Sequence, residues 1–256
     1  MRGIILTGGS GTRLYPMTKI FNKSLLPVYN KPMIYYPIQT LKQLGCEEIM
    51  IVSGRQHAGQ IMSLLWAGFS PDKNDGLKSE IDIALTYRVQ EKPGGIAQAL
   101  SICRSFAGDD DIAVCLGDNI FEDEFDNVEF NDGAHIFLKP VPDPERFGIA
   151  EVTFNEVVSI EEKPKNPKSD LCVTGLYLYD NQVWDIIDNL KPSGRGELEI
   201  TDVNNEYVKW HHMSYTKLDG FWCDAGTPDS LAHATQLIKE KLENDNIWLD
   251  KPNVSY

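Results

Sequence analysis

The N-terminal segment places a short apolar run, residues 3–7, directly before Gly8, Gly9 and Gly11. A run of this length and composition predicts a buried β-strand. Glycine adopts backbone conformations that other residues avoid, so the loop that follows can be tight and can turn its backbone N–H groups toward a ligand. In α/β proteins such a loop follows a sheet strand and binds phosphate. The segment therefore predicts an α/β protein with an anion site near its N-terminus.

The two most familiar glycine-loop motifs do not fit this segment. A dinucleotide-binding fingerprint counted from Gly9 would require a glycine where Leu14 stands, and no acid ends the second predicted strand. No Gly-Lys-Ser or Gly-Lys-Thr follows the glycines, which disfavours a P-loop kinase or ATPase. Arg13 and Lys23 flank the loop instead, and two cations beside a backbone anion site suit a triphosphate. The residues alone leave open that both are solvated surface cations.

Composition excludes several classes of protein. The chain has 256 residues, 42% of them hydrophobic, so it can bury one sizeable core. No linker or internal repeat is visible, and we expect a single domain, 1–256, with lobes at about 1–120 and about 121–256. The net charge of −14 disfavours nucleic acid and an anionic membrane as partners. Five scattered cysteines indicate core thiols, and the short N-terminal apolar run predicts a cytoplasmic location.

Apolar periodicity predicts alternating strands and helices in the first half of the chain and mostly strands in the second. Before residue 120 we predict strands at 49–52, 81–85 and 112–116 and helices at 32–44, 58–65 and 96–103. Beyond it we predict strands at 136–138, 149–154, 157–160 and 173–179 and helices at 183–190 and 200–207. A last helix is predicted from Pro228, with Thr227 as its N-cap. The order indicates a doubly wound sheet, parallel at first and more antiparallel later.

Two aspartates follow apolar runs and are candidate metal ligands. Asp118 comes directly after the strand predicted at 112–116, and Asp224 follows the apolar residues 221–223. Parallel strands deliver their carboxyl ends to one crevice, where two carboxylates could share one Mg²⁺. Each could equally be an ordinary turn or loop acid. If the two carboxylates do meet, Asp118→Asn is expected to leave the metal-free fold intact or to stabilise it, because like charges repel.

Three polar side chains are candidates for substrate recognition, each with an ordinary alternative. Gln90 offers a donor and an acceptor that match one edge of thymine or uracil, unless it is simply a surface amide. Glu162 can accept hydrogen bonds from two neighbouring hydroxyl groups, or it can be a solvated acid. Arg195 can hold a phosphate or can pair with Glu197 and Glu199.

The sequence GGSGTRLYPMT, followed by Lys23 and LLPVYNKPMIYYP, resembles the signature of sugar nucleotidyltransferases, specifically glucose-1-phosphate thymidylyltransferases. The likeness continues through LGDN, DPERFG, EEKP, VTGLY and RGELEITDVN and covers nearly the whole chain. It implies a Rossmann-like doubly wound mixed sheet of the nucleotide-diphospho-sugar transferase type, with an α+β sugar-binding lobe. It also implies transfer of a thymidylyl group from dTTP to glucose 1-phosphate, giving dTDP-glucose and pyrophosphate, the first step toward dTDP-rhamnose and other deoxysugars.

The resemblance assigns roles to individual residues. Arg13, Lys23 and Lys163 would act on the phosphates, and Asp118 and Asp224 would bind Mg²⁺. Pro164 is expected to hold the segment of Lys163 extended. The resemblance and the chemistry above together predict these substrate contacts: Leu6, Gly8, Gly9, Gly11, Thr12, Gln90, Gly95, Leu116, Gly117, Asp118, Asn119, Gly148, Glu162, Lys163, Val173, Tyr177 and Arg195.

Some alternatives stay open at this point. UTP could replace dTTP, because the two bases differ by one methyl group. A non-catalytic subunit that senses sugar nucleotides is a second alternative, although such a protein would be expected to have lost Arg13, Lys23 or Asp118. The resemblance implies a homo-oligomer, with a tetramer favoured. The sequence differs from the longer thymidylyltransferases at the C-terminus, where it stops at Tyr256 and they continue. This difference predicts a short form with altered feedback control.

Overall fold

The structure is a computed structural model that describes residues 1–9, 11–65 and 81–244. Its strands are β1 (Arg2–Leu6), β2 (Pro27–Val28), β3 (Lys31–Pro32), β4 (Glu48–Gly54), β5 (Ala84–Gln90), β6 (Ile112–Leu116), β7 (Asn119–Phe121), β8 (Ala134–Pro140), β9 (Gly148–Thr153), β10 (Glu156–Glu162), β11 (Leu171–Tyr179), β12 (Met213–Lys217) and β13 (Trp222–Asp224). Its α-helices are α1 (Tyr35–Gln43), α2 (Ala58–Leu65), α3 (Ile96–Ser101), α4 (Arg104–Ala107), α5 (Val183–Asn189), α6 (Ile200–Lys209) and α7 (Pro228–Asn244). Short 3₁₀ turns lie at Thr12–Leu14, Met17–Lys19, Lys23–Leu25 and Pro144–Arg146.

The main sheet is mixed, and its parallel part carries the N-terminal loop. β1 pairs in parallel with β4 and β6, and β4 pairs in parallel with β5. On the other side of β6 the sheet continues with antiparallel β11, which pairs with β8 and β9, and β9 pairs with β10. The predicted change from parallel to antiparallel pairing is therefore confirmed. Because β1, β5 and β6 run in the same direction, their carboxyl ends share one edge.

Apolar side chains cover both faces of this sheet. Along β1, Ile4 and Leu6 pack into one cluster with Val114, while Ile5 points into a second cluster with Ile51. Successive side chains of a strand point to opposite faces, so a strand buried on both sides must be apolar throughout. The five cysteines are buried and unpaired, as predicted for core thiols.

Two elements begin three residues later than the sequence predicts. The first helix begins at Tyr35 rather than Pro32, because Pro32 belongs to β3 and pairs with Pro27 of β2. The strand predicted from residue 81 begins at Ala84. Ile81 is buried although it precedes the strand, so its apolar character reflects burial and not strand structure.

Asp224 is positioned differently from the expectation of two parallel strand ends. Its strand, β13, lies outside the main sheet and forms a two-stranded antiparallel ribbon with β7. Asp224 is paired with Asn119 in this ribbon, directly after Asp118. The two aspartates therefore lie close together because β13 pairs with β7, the strand that follows β6. They are not the ends of two neighbouring parallel strands of the main sheet.

The helix α7 begins as the sequence predicts. Thr227 Oγ1 accepts a hydrogen bond from the backbone N–H of Ser230 at 3.1 Å, and Pro228 is the first helical residue. Ala234 and Ile238 are buried against β2 and β13. Among the residues that the structure describes, no helix has both the length and the apolar character needed to cross a bilayer.

We expect Thr227→Ala to lower the free energy of unfolding by about 1 kcal/mol, because it removes the side chain that caps α7. Thr227→Ser keeps the capping oxygen and is the matched control, expected to stay close to wild type. Urea unfolding of the three proteins measures the difference. Equal stabilities of the alanine and serine variants would contradict the capping role.

Candidate active site

A cavity of about 310 Å³ opens at the edge where β1, β5 and β6 end. Eleven predicted site residues line it: Leu6, Gly8, Gly9, Lys23, Gln90, Gly95, Leu116, Asp118, Glu162, Lys163 and Arg195. Further lining residues were not predicted as site residues: Thr7, Ser24, Pro93, Ile96, Ala99, Glu197, Glu199 and Ile200. Ser24 adjoins Lys23, and Glu199 and Ile200 lie in the RGELEITDVN motif, so position in a motif was the available signal.

The glycine loop is tight for reasons visible in its contacts. A Cβ on Gly8 would lie 2.6 Å from Gln90 Oε1, so no other residue fits there without displacing that side chain. Gly9 and Gly11 have φ values of +109° and +57°, which favour glycine. The carbonyl of Gly11 accepts a hydrogen bond from Thr18 Oγ1 at 2.7 Å. Ser10, the remaining residue of the motif, lies outside the described residues.

Lys23 and Asp118 form the central ion pair of the site. Lys23 Nζ contacts Asp118 Oδ2, and both side chains are about four-fifths buried. Asn22, itself 3% exposed, holds the lysine segment in place. Its amide nitrogen donates to the carbonyl of Thr7 at 3.1 Å, and its oxygen accepts from the N–H of Ser24 at 2.8 Å. The 3₁₀ turn that begins at Lys23 is thereby attached to the end of β1.

The carboxylates of Asp118 and Asp224 face the same glycine. A Cβ on Gly226 would lie 3.6 Å from Asp224 Oδ2 and 3.8 Å from Asp118 Oδ2. Burial and the neighbouring Asp118 charge raise the pKa of Asp224 to about 6, although Arg146, Lys23 and Arg13 partly oppose this. Burial also acts to raise the pKa of Asp118, but the Lys23 ammonium and a hydrogen bond from Asn119 outweigh it and lower that pKa.

This pair of carboxylates has the chemistry of an incomplete Mg²⁺ site. Mg²⁺ prefers hard oxygen ligands and is often held by one or two carboxylates together with substrate phosphates. Within the described residues no cluster of three or more His, Cys, Asp or Glu converges, so waters or substrate oxygens would complete the coordination of the ion. The raised pKa of Asp224 shows that burial, and then the charge of Asp118, disfavours a second negative charge here, and a bound cation would offset both effects.

On the opposite wall of the cavity, Glu162 is the centre of a second polar group. Its carboxylate accepts from Thr201 Oγ1 at 2.8 Å and from Arg195 at 3.3 Å, and Lys163 Nζ lies 3.2 Å from it. Arg195 also makes two hydrogen bonds to Glu199, at 3.1 and 2.8 Å. The structure therefore shows Arg195 paired with acids, one of the two alternatives left open by the sequence.

The backbone at Lys163 corrects the sequence expectation. Pro164 was expected to hold this segment extended, but Lys163 has φ of +47°, in the left-handed region. Its N–H donates to the carbonyl of Phe147 at 2.9 Å, which helps to fix the turn. A non-glycine residue in this region costs about 1–2 kcal/mol, so the surrounding contacts must stabilise it.

Gln90 and Gly95 line the cavity beside the glycine loop. Gln90 is 6% exposed, and its amide nitrogen donates to Gln98 Oε1 at 2.6 Å, which orients the side chain. It is therefore not a surface amide. Gly95 has φ of +96°, and a Cβ there would lie 2.4 Å from the carbonyl oxygen of Leu198. The backbone of Leu198 occupies the space that a side chain would need. Close packing therefore explains the glycine at position 95 independently of any ligand.

Several predicted contacts lie outside the cavity lining. Asn119 is 2% exposed, and its amide bonds Asp118, the N–H of Gly175 and the Trp222 indole, which places it behind Asp118. Tyr177 is buried and stacks on Tyr179, so its ring belongs to the core. The remaining residues outside the lining are Gly11, Thr12, Arg13, Gly117, Gly148, Val173 and Asp224. Both side chains therefore have structural partners in the described chain, and a direct substrate contact from either one stays a prediction.

Besides Asp224, two of these residues adjoin the site. Gly148 is paired with Glu162 across β9 and β10, and a Cβ there would lie 3.4 Å from Glu162 Oε2. Arg13 is exposed and makes no hydrogen bond or ion pair within the described chain, yet its charge acts on Asp224. Arg146, which sequence reasoning did not single out, lies 3.7 Å from Asp224 Oδ2. Its position in DPERFG was the available signal.

The fold and site are those of an enzyme that handles nucleotides and sugar phosphates, and the nucleotidyl transferase family model matches residues 2–241. The chain belongs to this family. Glucose-1-phosphate thymidylyltransferase of Neisseria meningitidis is 44% identical to it, over 97% of this chain and 86% of that protein. The protein of the same name from Mycolicibacterium smegmatis is 42% identical, over 93% and 82% of the two chains.

Solved structures agree with this assignment. A Bacillus anthracis protein described as a glucose-1-phosphate thymidylyltransferase, in complex with sucrose, is 48% identical, with a TM-score of 0.86 over 94% of this chain and 96% of that one. A UDP-glucose pyrophosphorylase in complex with UDP-glucose has a TM-score of 0.82 at 23% identity, over 94% and 98% of the two chains. The second likeness shows the shared fold, which confirms the predicted mixed-sheet architecture.

In metal-free protein we expect Asp224→Asn to raise stability and Asp118→Asn to lower it. The pKa of Asp224 is about 6 when folded and ordinarily 3.8, so its contribution to stability is lost as the pH rises through about 6. Removing the charge should add at most about 3 kcal/mol at pH 8 and less at pH 5. The pKa of Asp118 is lowered, so this residue stabilises the fold when ionised and paired with Lys23.

Melting temperatures in EDTA at pH 5 and pH 8 test this contrast. For Asp118→Asn this prediction differs from the expectation drawn from the sequence, because Lys23 is a cation partner that offsets the repulsion between Asp118 and Asp224. Shifts of the same sign and size for both variants at pH 8 would contradict it.

Proposed function

We propose that this protein transfers a thymidylyl group from dTTP to α-D-glucose 1-phosphate, with release of pyrophosphate. The observation that supports this most directly is that one cavity joins the glycine loop, the Lys23–Asp118 pair, Gln90 and the Glu162–Lys163 group. These are a phosphate-binding element, a candidate base reader and a candidate sugar-phosphate site. Relatives that share 42–44% of the sequence carry the name of this activity.

The reaction needs little from the protein beyond binding, orientation and charge neutralisation. A phosphate oxygen of glucose 1-phosphate attacks the α-phosphorus of dTTP, the bond to the β-phosphate oxygen breaks, and pyrophosphate leaves. The attacking oxygen is already ionised at neutral pH, so no general base is required. The described cavity lining includes neither cysteine nor histidine, which is in keeping with direct transfer.

The phosphate groups are assigned to three cations. Arg13, exposed and without a protein partner in the described chain, neutralises the triphosphate as charge develops on the leaving group. Lys23, which lines the cavity together with Gly8 and Gly9, is assigned to the triphosphate, and Lys163 is assigned to the phosphate of the sugar. Asp118 and Asp224 would hold Mg²⁺, which would supply positive charge to offset the negative charge of the phosphate groups.

The sugar hydroxyl groups are assigned to Glu162. Thr201 and Arg195 each donate to this carboxylate, which fixes its orientation before any sugar binds. Gly148 leaves open the space beside it, where a Cβ would lie 3.4 Å from Glu162 Oε2. A carboxylate that is already oriented and has free lone pairs can accept hydrogen bonds from two hydroxyl groups on adjacent carbons.

The roles of the two lobes and the cellular location of the protein are also proposals. Residues about 1–120 would form the nucleotide-binding lobe and residues about 121–256 the sugar-phosphate-binding lobe of one domain. Phosphorylated substrates of this kind do not cross membranes readily, which favours a cytoplasmic enzyme. A homo-oligomer stays a prediction from the family resemblance.

UTP is the second candidate nucleotide. The UDP-glucose pyrophosphorylase structure shares this fold, and a single methyl group distinguishes nucleotides by only about 1–3 kcal/mol. A non-catalytic sensing role is disfavoured, because Arg13, Lys23 and Asp118 are all present and two of them line the cavity.

We expect Arg13→Ala to lower kcat/KM by about 10²–10³-fold, since it removes a charge that acts on the developing transition state. Stability should change by less than about 0.5 kcal/mol, because the side chain has no partner in the described protein. Lys19→Ala removes an exposed cation from the same segment and is the matched control, expected to keep near wild-type turnover. Equal effects of the two substitutions in a pyrophosphate-release assay would refute the assignment.

We also expect pyrimidine triphosphates to be preferred. With glucose 1-phosphate as acceptor, dTTP and UTP should support pyrophosphate release, and ATP and GTP should be at least about tenfold poorer. The second ring of a purine places its hydrogen-bonding edge farther from the sugar than the edge of a pyrimidine, so it would not meet the Gln90 amide in the same position. Gln90→Ala should weaken this preference, whereas Gln236→Ala, at an exposed position of α7, should leave it unchanged. A wild-type preference for a purine triphosphate would contradict the proposed function.

A further inference from the structure

The ribbon of β7 and β13 is held at the end remote from Asp224 by three charged side chains. At this end, residues 218–221 lead into β13, and Glu122 and Asp123 follow β7. Lys139, near the end of β8, reaches the same place from the main sheet. We call Lys139, Glu122 and Asp123, with the backbone of residues 218–221 that they bind, the loop clamp.

The two acids of the loop clamp bind successive backbone N–H groups. Asp123 Oδ1 accepts from the N–H of Asp219 at 3.0 Å and from that of Gly220 at 3.2 Å. Glu122 Oε2 accepts from the N–H of Phe221 at 2.8 Å, and the backbone N–H of Glu122 donates to the carbonyl of Phe221 at 3.0 Å. All three N–H groups from 219 to 221 therefore have a carboxylate partner.

Lys139 binds the carbonyl groups of the same segment. Its ammonium group donates to the carbonyl oxygens of Leu218 at 3.2 Å and Asp219 at 3.0 Å, and to that of Gly220. An ammonium group has three donors, and here each has a backbone acceptor. Residues 218–221 are thus bound on both sides by side chains from β8 and from the segment after β7.

This arrangement controls where Asp224 lies. A shift of one residue in strand pairing turns every side chain of the strand to the other face, so a displaced β13 would point Asp224 away from Asp118. The ribbon pairs only three residues of each strand, which by themselves fix its register weakly. Gly220 packs closely against an acid of the loop clamp, since a Cβ at this position would lie 2.8 Å from Asp123 Oδ2.

We propose that Lys139 and Asp123 are positioning residues that fix the register of the β7–β13 ribbon and thereby hold Asp224 beside Asp118 for a divalent cation. The inference rests on the proposed function, since it assumes that both aspartates bind Mg²⁺. Neither residue touches the substrates or the metal. Their loss affects the affinity of the metal site, and excess metal compensates for it.

The test compares Lys139→Met with wild type, Lys139→Arg and the control Lys209→Met, which removes an exposed cation of α6. For Lys139→Met we expect the Mg²⁺ concentration at half-maximal turnover to rise about tenfold, as for partners of metal ligands. At saturating Mg²⁺, kcat should return to near the wild-type value. Lys139→Arg should recover most of the loss, and Lys209→Met should not differ from wild type.

A direct binding measurement accompanies the kinetics. Mn²⁺ titrated into each protein in the presence of dTTP, and followed by electron paramagnetic resonance, should show the same order of affinities. Hydrogen exchange of the amides at 219–221 should be faster in Lys139→Met. If Lys139→Met does not fold, Lys139→Arg and Asp123→Asn carry the test, and both should raise the Mg²⁺ requirement by a smaller factor.

An unchanged Mg²⁺ requirement and Mn²⁺ affinity in folded Lys139→Met, beside a wild type that depends on Mg²⁺, would overturn this inference and leave the proposed function standing. An equal loss in Lys209→Met would overturn it as well. Full wild-type turnover in EDTA would refute the metal site itself, and the positioning role with it.

Discussion

The contact between Lys23 and Asp118 is the interaction on which the candidate site depends. An ionised carboxylate that is largely removed from water persists only with a partner, and Lys23 is that partner. The pair connects the loop after β1 with the end of β6, which are neighbouring strands of the sheet. The carbonyl of Asp118 also accepts from the N–H of Ala225 at 2.9 Å, so the ribbon strand that carries Asp224 is bound to the same residue.

Charge balance explains how an acidic protein can bind two anionic substrates. The chain carries a net charge of −14, yet its cavity is bordered by several cations that acids hold in place. Lys23 pairs with Asp118, and Arg195 pairs with Glu199 and Glu162. These pairs keep the cations oriented before the phosphates arrive, which reduces the reorganisation needed on binding. Arg13 differs from them, because no side chain of the described protein neutralises it.

Close approach of backbone segments explains several glycines that a motif alone would assign to ligand binding. Gly95 has no room for a side chain because the backbone of Leu198 occupies that position. Gly117 would likewise bring a Cβ to 2.7 Å from Ser24 Oγ. Both residues allow the walls of the cavity to pack together, so they shape the site even where no ligand atom touches them.

The sequence by itself determined the local features: the strand and glycine loop, the sheet order that changes after β6, the buried thiols and the capped helix α7. Such features depend on apolar periodicity and capping, which act over a few residues. Only the tertiary structure decided that Asp224 lies on a ribbon, that Asn119 lies behind Asp118 and that the backbone of Lys163 adopts the left-handed conformation. Asp118 and Asp224 are brought together by pairing between segments about a hundred residues apart, and no local pattern specifies which distant strand a segment will meet.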